Sequence, residues 1–408
     1  MPLARRLRLG DAVAIGLGSM IGAGVFSVWA PAMSVAGSGI LVALAIAAIV
    51  AYCNATASAQ LAAAHPVAGG TYAYARAEIG PWWGFVAGWS FVIGKIASCA
   101  AMAMTFAAYA APESWQVPVA VGAVVALATV NCFGVTRTAL VTRILVVCSL
   151  LGLALVVATG LGGSSAASPA PLLDASAYGV LQGAGLLFFA FAGYARIATM
   201  GEEVVDPTRT IPRAIALALG GAVVVYTLVA ITVIVVLGGD AATSTTPLAD
   251  VAAATGWQAL TPVIRVAAAA ASLGALLALL TGIGRTTLAM AREQDLPRFL
   301  AKIDERWQVP RRAEIAIALI VAGIVLVADL RDAIGFSSFG VLLYYLIANA
   351  AAFRQQDSAR RYPRALQVVG ALGCLMLINT LPVLASAIAT VVVLVGVLYR
   401  MARLRLSR

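Results

Sequence analysis

Two short stretches constrain this chain more than any others. Gly18-Ser19-Met20-Ile21-Gly22-Ala23-Gly24-Val25-Phe26 and Phe188-Phe189-Ala190-Phe191-Ala192-Gly193-Tyr194 each interrupt a long apolar segment with glycine. A segment that apolar reads as a helix crossing lipid, and lipid offers no partner to an unwound peptide group. Each bare N–H or C=O there costs several kcal/mol, so a break persists only inside protein or beside a cavity.

Composition agrees with a lipid setting. The 408 residues are 62% apolar and 11% charged, against about 45–50% and about 25% in a soluble domain. The apolar pattern predicts twelve transmembrane helices, at 12–36, 39–62, 82–110, 117–134, 139–161, 178–204, 214–238, 259–291, 313–328, 333–353, 364–380 and 382–399. Each is near the length that crosses ~30 Å of hydrocarbon, with 117–134 and 313–328 the shortest. The expected fold class is an all-α membrane protein.

The net charge of +10 follows from topology and not from nucleic acid. Arg5, Arg6, Arg8, Arg76, Arg209, Arg213, Arg292, Arg311, Arg312, Arg360, Arg361 and Arg403 fall on one set of loops. The opposite loops (111–116, 162–177, 239–258, 329–332 and the Asn379–Pro382 turn) hold Arg331 as their one basic residue. This asymmetry places both termini in the cytoplasm and the chain in the cell membrane. The arginines before the first apolar run are not read as a signal peptide, because that run continues into the glycine-broken stretch. Residues 162–177 and 239–250 read as mobile outer loops, and 292–312 as a short surface helix on the cytoplasmic side.

The five cysteines (Cys53, Cys99, Cys132, Cys148, Cys374) lie in apolar spans without a Cys-x-x-Cys pair. Neither a disulfide framework nor a metal site is indicated, and no cofactor is expected. Asn54-Ala55-Thr56 matches a glycosylation sequon but lies inside a span. His65 is the single histidine, and no His-Glu-x-x-His pattern occurs, so an enzyme is not expected.

The broken spans are the first and the sixth. That spacing suits a five-plus-five inverted repeat, residues 1–161 and 178–353, with two helices appended at 364–399. No residue-level identity links the halves, so the repeat rests on topology.

Each break has two readings. At the first, Gly18, Gly22 and Gly24 let the backbone leave helical geometry cheaply. The freed N–H groups then start a half-helix, where the dipole is positive and a carboxylate fits. Ser19 adds a hydroxyl donor. Gly18 and Gly22 also have the small-xxx-small spacing of simple helix packing. At the second, carbonyls released before Gly193 can accept from an ammonium group, while the phenylalanines can equally be core. Together the breaks describe a clamp for a zwitterion.

Four stretches then carry a resemblance: GSMIGAGVF at 18–26, HPVAGGTYAYARAEIGPWWGFVAGW at 65–89, FFAFAGYARIATMGEEVVDPTRTIPRAI at 188–215, and RTTLAMAREQDLP at 285–297. In this order the chain resembles the amino acid–polyamine–organocation superfamily of transporters, with the leucine-transporter-type fold. The resemblance implies alternating access by broken helices one and six against a scaffold of helices three, four, eight and nine. It implies that backbone from Met20 through Ile21, Gly22 and Ala23 to Gly24 binds an α-carboxylate. It implies that carbonyls around Phe189, Ala190, Phe191 and Ala192 bind the α-amine, with Phe189 as an outer gate. Many relatives have Gly-Ser-Gly where this chain has Gly22-Ala23-Gly24. Proton-coupled relatives often place a lysine in helix five, where this chain has Ser149. Lysine-based coupling at that place is not supported, and the coupling ion, proton or sodium, stays open.

Charges within spans are expensive and usually functional. Lys95 lies about thirteen residues into its span, roughly 20 Å along at 1.5 Å per residue. It reads either as an amine capped by carbonyls or water, or as a group for proton coupling or for side-chain recognition. Arg196 follows the second break and reads either as the partner of Glu202 or Glu203 or as a vestibule residue. No Asp or Glu stands at comparable depth in the predicted spans. Two cations without a buried acid favour an anionic or zwitterionic solute over a polyamine. An amino acid carrier is therefore the leading reading, ahead of an amine or polyamine exchanger, a solute sensor on the same fold, or a channel.

Overall fold

The computed structural model of the protein describes residues 7–65, 67, 69–133, 138–163, 170–198, 200, 203–307 and 309–406. Apart from two isolated bridges, the regular elements among these residues are helical. In chain order they are α1 (Leu9–Met20), α2 (Ala23–Ser27), α3 (Trp29–Ala36), α4 (Ile40–Ala64), α5 (Thr71–Glu78), α6 (Pro81–Ala110), α7 (Gln116–Cys132), α8 (Thr138–Gly162) and α9 (Ala177–Phe191). Then follow α10 (Ala195–Ala198), α11 (Pro207–Leu237), α12 (Pro247–Ala254), α13 (Thr261–Arg292), α14 (Arg311–Val327), α15 (Leu330–Arg354), α16 (Arg364–Thr380) and α17 (Val383–Leu406). Ten helical segments among the described residues are long and apolar enough to cross a membrane. The protein is a multi-pass membrane protein.

Helix boundaries follow local chemistry. The first span starts at Leu9, where Asp11 accepts from the Arg8 N–H at 3.1 Å. It stops at Gly37, whose φ of +47° turns the chain before α4. A side chain on Gly37 would also strike the Leu173 carbonyl. Pro81 opens α6 and Pro207 opens α11, positions where the missing N–H has no helical partner to lose.

Two expectations are corrected. Residues 247–254 form the helix α12 within the expected outer loop, because Leu248, Ala249, Val251 and Ala252 bury completely. Residues 292–312 carry a single 3₁₀ turn, Arg298–Ala301, and not a surface helix. There the Asp304 carboxylate accepts from the Arg306 and Trp307 N–H groups at 3.1 and 3.0 Å, a local alternative to helical pairing. The sequon asparagine, Asn54, is fully buried and accepts from the Asn349 amide at 2.6 Å, so it belongs to the interior.

α6 packs closely against α15. A Cβ on Gly94 would stand 3.2 Å from the Gly340 Cα, and the Ser98 and Ser337 hydroxyls meet at 2.7 Å. Small residues allow this approach in lipid, where dispersion and hydrogen bonds hold helices together. Lys95 lies one residue from Gly94, so its helix is held firmly against a second long helix.

The arginine-rich face is tied by ions. Asp295, just beyond α13, is 5% exposed and accepts from the Tyr72 hydroxyl and from Arg76, both at 2.9 Å, and from Arg400 of α17. The Arg400 guanidinium also stacks on Trp82 and Phe85, 5.0 and 4.8 Å from the ring centroids. Burial, with the Asp295 carboxylate beside it, pushes the Tyr72 phenol up from its ordinary range. One carboxylate thus joins α5, α13 and α17. Replacing it (Asp295→Asn) leaves the buried Arg400 without its carboxylate, while Arg76 keeps Glu293 at 3.1 Å, and about 3–5 kcal/mol of stability is expected to be lost. A clear fall in the thermal unfolding midpoint in detergent checks this.

Candidate functional site

Both predicted breaks are present. α1 closes with the Ile21 N–H on the Leu17 carbonyl at 2.6 Å, and Gly22 then leaves helical geometry at φ −69°, ψ −144°. α2 starts at Ala23 and runs through Val28 into α3, since the Val28 N–H reaches the Gly24 carbonyl at 3.1 Å. The first N–H groups of this second half have no partner inside their own helix. At the second break α9 tightens into a 3₁₀ turn, Ala192–Tyr194, before α10. The Ala192 N–H bonds the Phe189 carbonyl there. A short 3₁₀ turn inside a helix is a frequent mark of a hinge.

The two breaks touch. A Cβ on Gly193 would fall within the Ser19 carbonyl, and one on Gly24 would stand 2.9 Å from the Ala190 Cα. Only glycine lets these backbones come so close. On the arginine-rich side the segments are joined as well: the Leu7 N–H bonds the Glu203 carbonyl at 3.0 Å, and the Val205 N–H bonds the Leu7 carbonyl at 2.9 Å. On the opposite side the Ser38 N–H bonds the Leu173 carbonyl at 2.9 Å.

The carbonyls at the breaks have donors. The Tyr226 hydroxyl of α11 lies 2.6 Å from the Met20 carbonyl and 2.9 Å from the Ala190 carbonyl. It has one proton to share between them, so a single residue links both breaks. The Lys95 Nζ lies 3.5 Å from the Ala192 carbonyl, the limit of a hydrogen bond. Lys95 is 6% exposed. The end of α9 explains how the ammonium is tolerated there, because a helix C-terminus is a partial negative charge.

The other predicted side chains have their own places. Ser19 turns back on its helix, donating to the Ile15 carbonyl at 2.8 Å. Phe189 is buried, and Phe191 packs edge-on against Tyr226 with centroids 5.0 Å apart. Ser149 is buried on α8 and donates to the Leu145 carbonyl at 2.7 Å. Arg196 stands on α10, within electrostatic range of Arg285 and Glu203. Glu202 and the side chain of Ala23 lie outside the described residues. The structure therefore brings Met20, Gly24, Ala190, Gly193 and Lys95 together, and keeps Ser149 on its own helix.

Two features escape sequence reading. Tyr226 sits in the run Val223-Val224-Val225-Tyr226, and a lone hydroxyl amid valines is its one signal. Glu314, near the start of α14, is 3% exposed, with its carboxylate 3.5 Å from the Asn131 amide. Its place at the end of a span concealed its burial.

A cleft of about 510 Å³ opens on the arginine-poor face. Its walls include Phe26, Ser27, Met104, Gln116, Asp329 and Arg331, but none of residues 20–24 or 189–193. It begins one helical turn beyond Gly22 on the second half of the first broken helix. Arg331 donates from its edge to the side-chain amide oxygen of Gln182 of α9 at 3.3 Å.

Two touching helix breaks lie within a bundle of long apolar helices. The sequence profile of the amino acid permease family matches residues 11–404. The chain belongs to that family, within the amino acid–polyamine–organocation superfamily. It is 54% identical to an uncharacterized transporter of Mycobacterium tuberculosis, over 97% of this chain and 90% of the relative. It is 28% identical to the chloroplastic cationic amino acid transporter 7 of Arabidopsis thaliana, over 86% of this chain and 66% of the relative. It is also 28% identical to the human cationic amino acid transporter 4, over 84% of this chain and 58% of the relative.

Two substitutions test the contact between the breaks. Tyr226→Phe removes the shared donor and is expected to cost about 1–3 kcal/mol through two carbonyls left short of a partner, read as a lower unfolding midpoint. Gly193→Val drives a side chain into the Ser19 carbonyl and is expected to abolish solute uptake. Uptake at the unaltered rate would show that the breaks need not meet.

Proposed function

We propose that the protein carries amino acids across the cell membrane by alternating access, with both termini in the cytoplasm. The solute binds at the two breaks. Its α-carboxylate takes the backbone N–H groups from Met20 to Gly24, and its α-amine takes carbonyls between Phe189 and Ala192. Phe189 closes over it from outside. The observation that supports this most is the pairing of the breaks: unwound backbone at one depth on two touching helices, with the partial charges that a zwitterion needs.

The wider architecture we propose is twelve transmembrane helices in a five-plus-five inverted repeat, residues 1–161 and 178–353, with 364–399 appended. In this reading the 510 Å³ cleft is the outer vestibule. Separation of the breaks opens the path from it to the site. The α6–α15 contact stays fixed while the broken helices move, because glycine-close packing has little room to slide. An amine or polyamine exchanger has less support: a dication would need free buried acids, and among the described residues the buried carboxylates of Asp295 and Glu314 are bound to arginines and to Asn131, respectively.

Counterflow in liposomes tests the proposal. Vesicles loaded with one amino acid are expected to accumulate its labelled form transiently, with saturable kinetics, for at least one of the common amino acids. Uptake that neither saturates nor shows counterflow would indicate a pore, and no uptake of any amino acid would remove the reading.

A further inference from the structure

We propose that Lys95 sets the charge class of the solute, so that this carrier takes amino acids with neutral or acidic side chains and rejects lysine and arginine. The inference rests on the amino acid carrier reading and deepens it. It departs from what the names of the 28%-identical relatives would suggest.

Lys95 is the fifteenth residue of the thirty-residue α6, Pro81–Ala110, and so stands at mid-span. Its ammonium lies 3.5 Å from the Ala192 carbonyl. That carbonyl is among the acceptors proposed for the solute's amine. The ammonium is therefore within a few ångströms of any amino acid bound there. It is buried, so water screens it little.

The surrounding charges do not cancel it. Among the described residues no acid is paired with Lys95, whereas the buried carboxylate of Asp295 is held by two arginines. Beyond the break, Arg196 faces both Arg285 and Glu203, so those groups add no net negative charge toward the solute. Glu314 acts on Arg285 and is bonded to Asn131 of α7; it also acts on Cys99, one turn from Lys95, but forms no ion pair with Lys95 itself. The negative element nearest to Lys95 is the carbonyl end of α9, a partial charge only. A zwitterion brings its own carboxylate and can share that end with the lysine. A second ammonium or a guanidinium on the solute would meet a like charge in a medium of low dielectric. A carboxylate side chain would meet an opposite one.

The experiment measures counterflow by purified protein in liposomes, with labelled alanine, glutamate, lysine and arginine. The unaltered protein is expected to carry alanine or glutamate at least ten-fold faster than either cationic solute. Lys95→Glu is expected to reverse the order, admitting lysine and arginine and losing glutamate, while Lys95→Arg keeps it. Lys95→Gln, uncharged and of similar reach, is expected to narrow the gap. Arginine carried by the unaltered protein at the rate of alanine would overturn the inference and leave the carrier reading intact. So would an unchanged order in a monodisperse Lys95→Glu protein. If the unaltered protein exchanges no amino acid, both fall together.

Discussion

A peptide group without a helical partner inside a membrane bundle must find one elsewhere, and the rest of the structure is arranged around that demand. At the two breaks the demand is met by contact between the breaks and by two side chains from other helices. The Tyr226 hydroxyl serves the Met20 and Ala190 carbonyls, and Lys95 serves the Ala192 carbonyl. Neither donor is a helical N–H, so each can be exchanged for a solute group without unwinding more chain. A continuous helix offers no such exchange, because its bonds are internal and reform at once.

The distribution of glycine follows from the same demand. Gly193 and Gly24 admit the opposing backbone at the breaks. Gly94 and Gly340 admit close approach of α6 and α15, which fixes the position of Lys95. The first pair flanks the interruptions, with Gly24 in the first turn of α2 and Gly193 in the 3₁₀ turn, and the second lies inside two long regular helices. Close approach therefore means different things at the two places: a joint in one, a rigid seam in the other. The ion cluster around Asp295 locks the arginine-rich face to α17, and the cleft lies at the opposite face.

Much of this was legible in the sequence, and the reasons are physical. A glycine-broken apolar run admits few solutions in lipid, and the breaks at Ile21–Gly22 and Ala192–Tyr194 are one of the two readings those glycines allowed. Lys95 was visible because a charge amid apolar residues is costly. What was not legible depended on which helices become neighbours. Tyr226 is bound to two carbonyls more than thirty residues away from it in the chain, and no periodicity announces such a contact. The helix α12 was hidden because eight residues with an apolar face, lying between turn formers, read like a loop. The stretch 292–312 erred the other way: mixed charge suggested a surface helix, and Asp304 instead captured the backbone N–H groups that a helix would have used.

The most direct test of the central idea is a structure with an amino acid bound. The account predicts the carboxylate on backbone N–H groups between Met20 and Gly24 and the amine on carbonyls between Phe189 and Ala192, with the Lys95 or Tyr226 donor displaced from its carbonyl. An amino acid lodged in the outer cleft between Phe26 and Arg331, with both breaks unchanged, would contradict it.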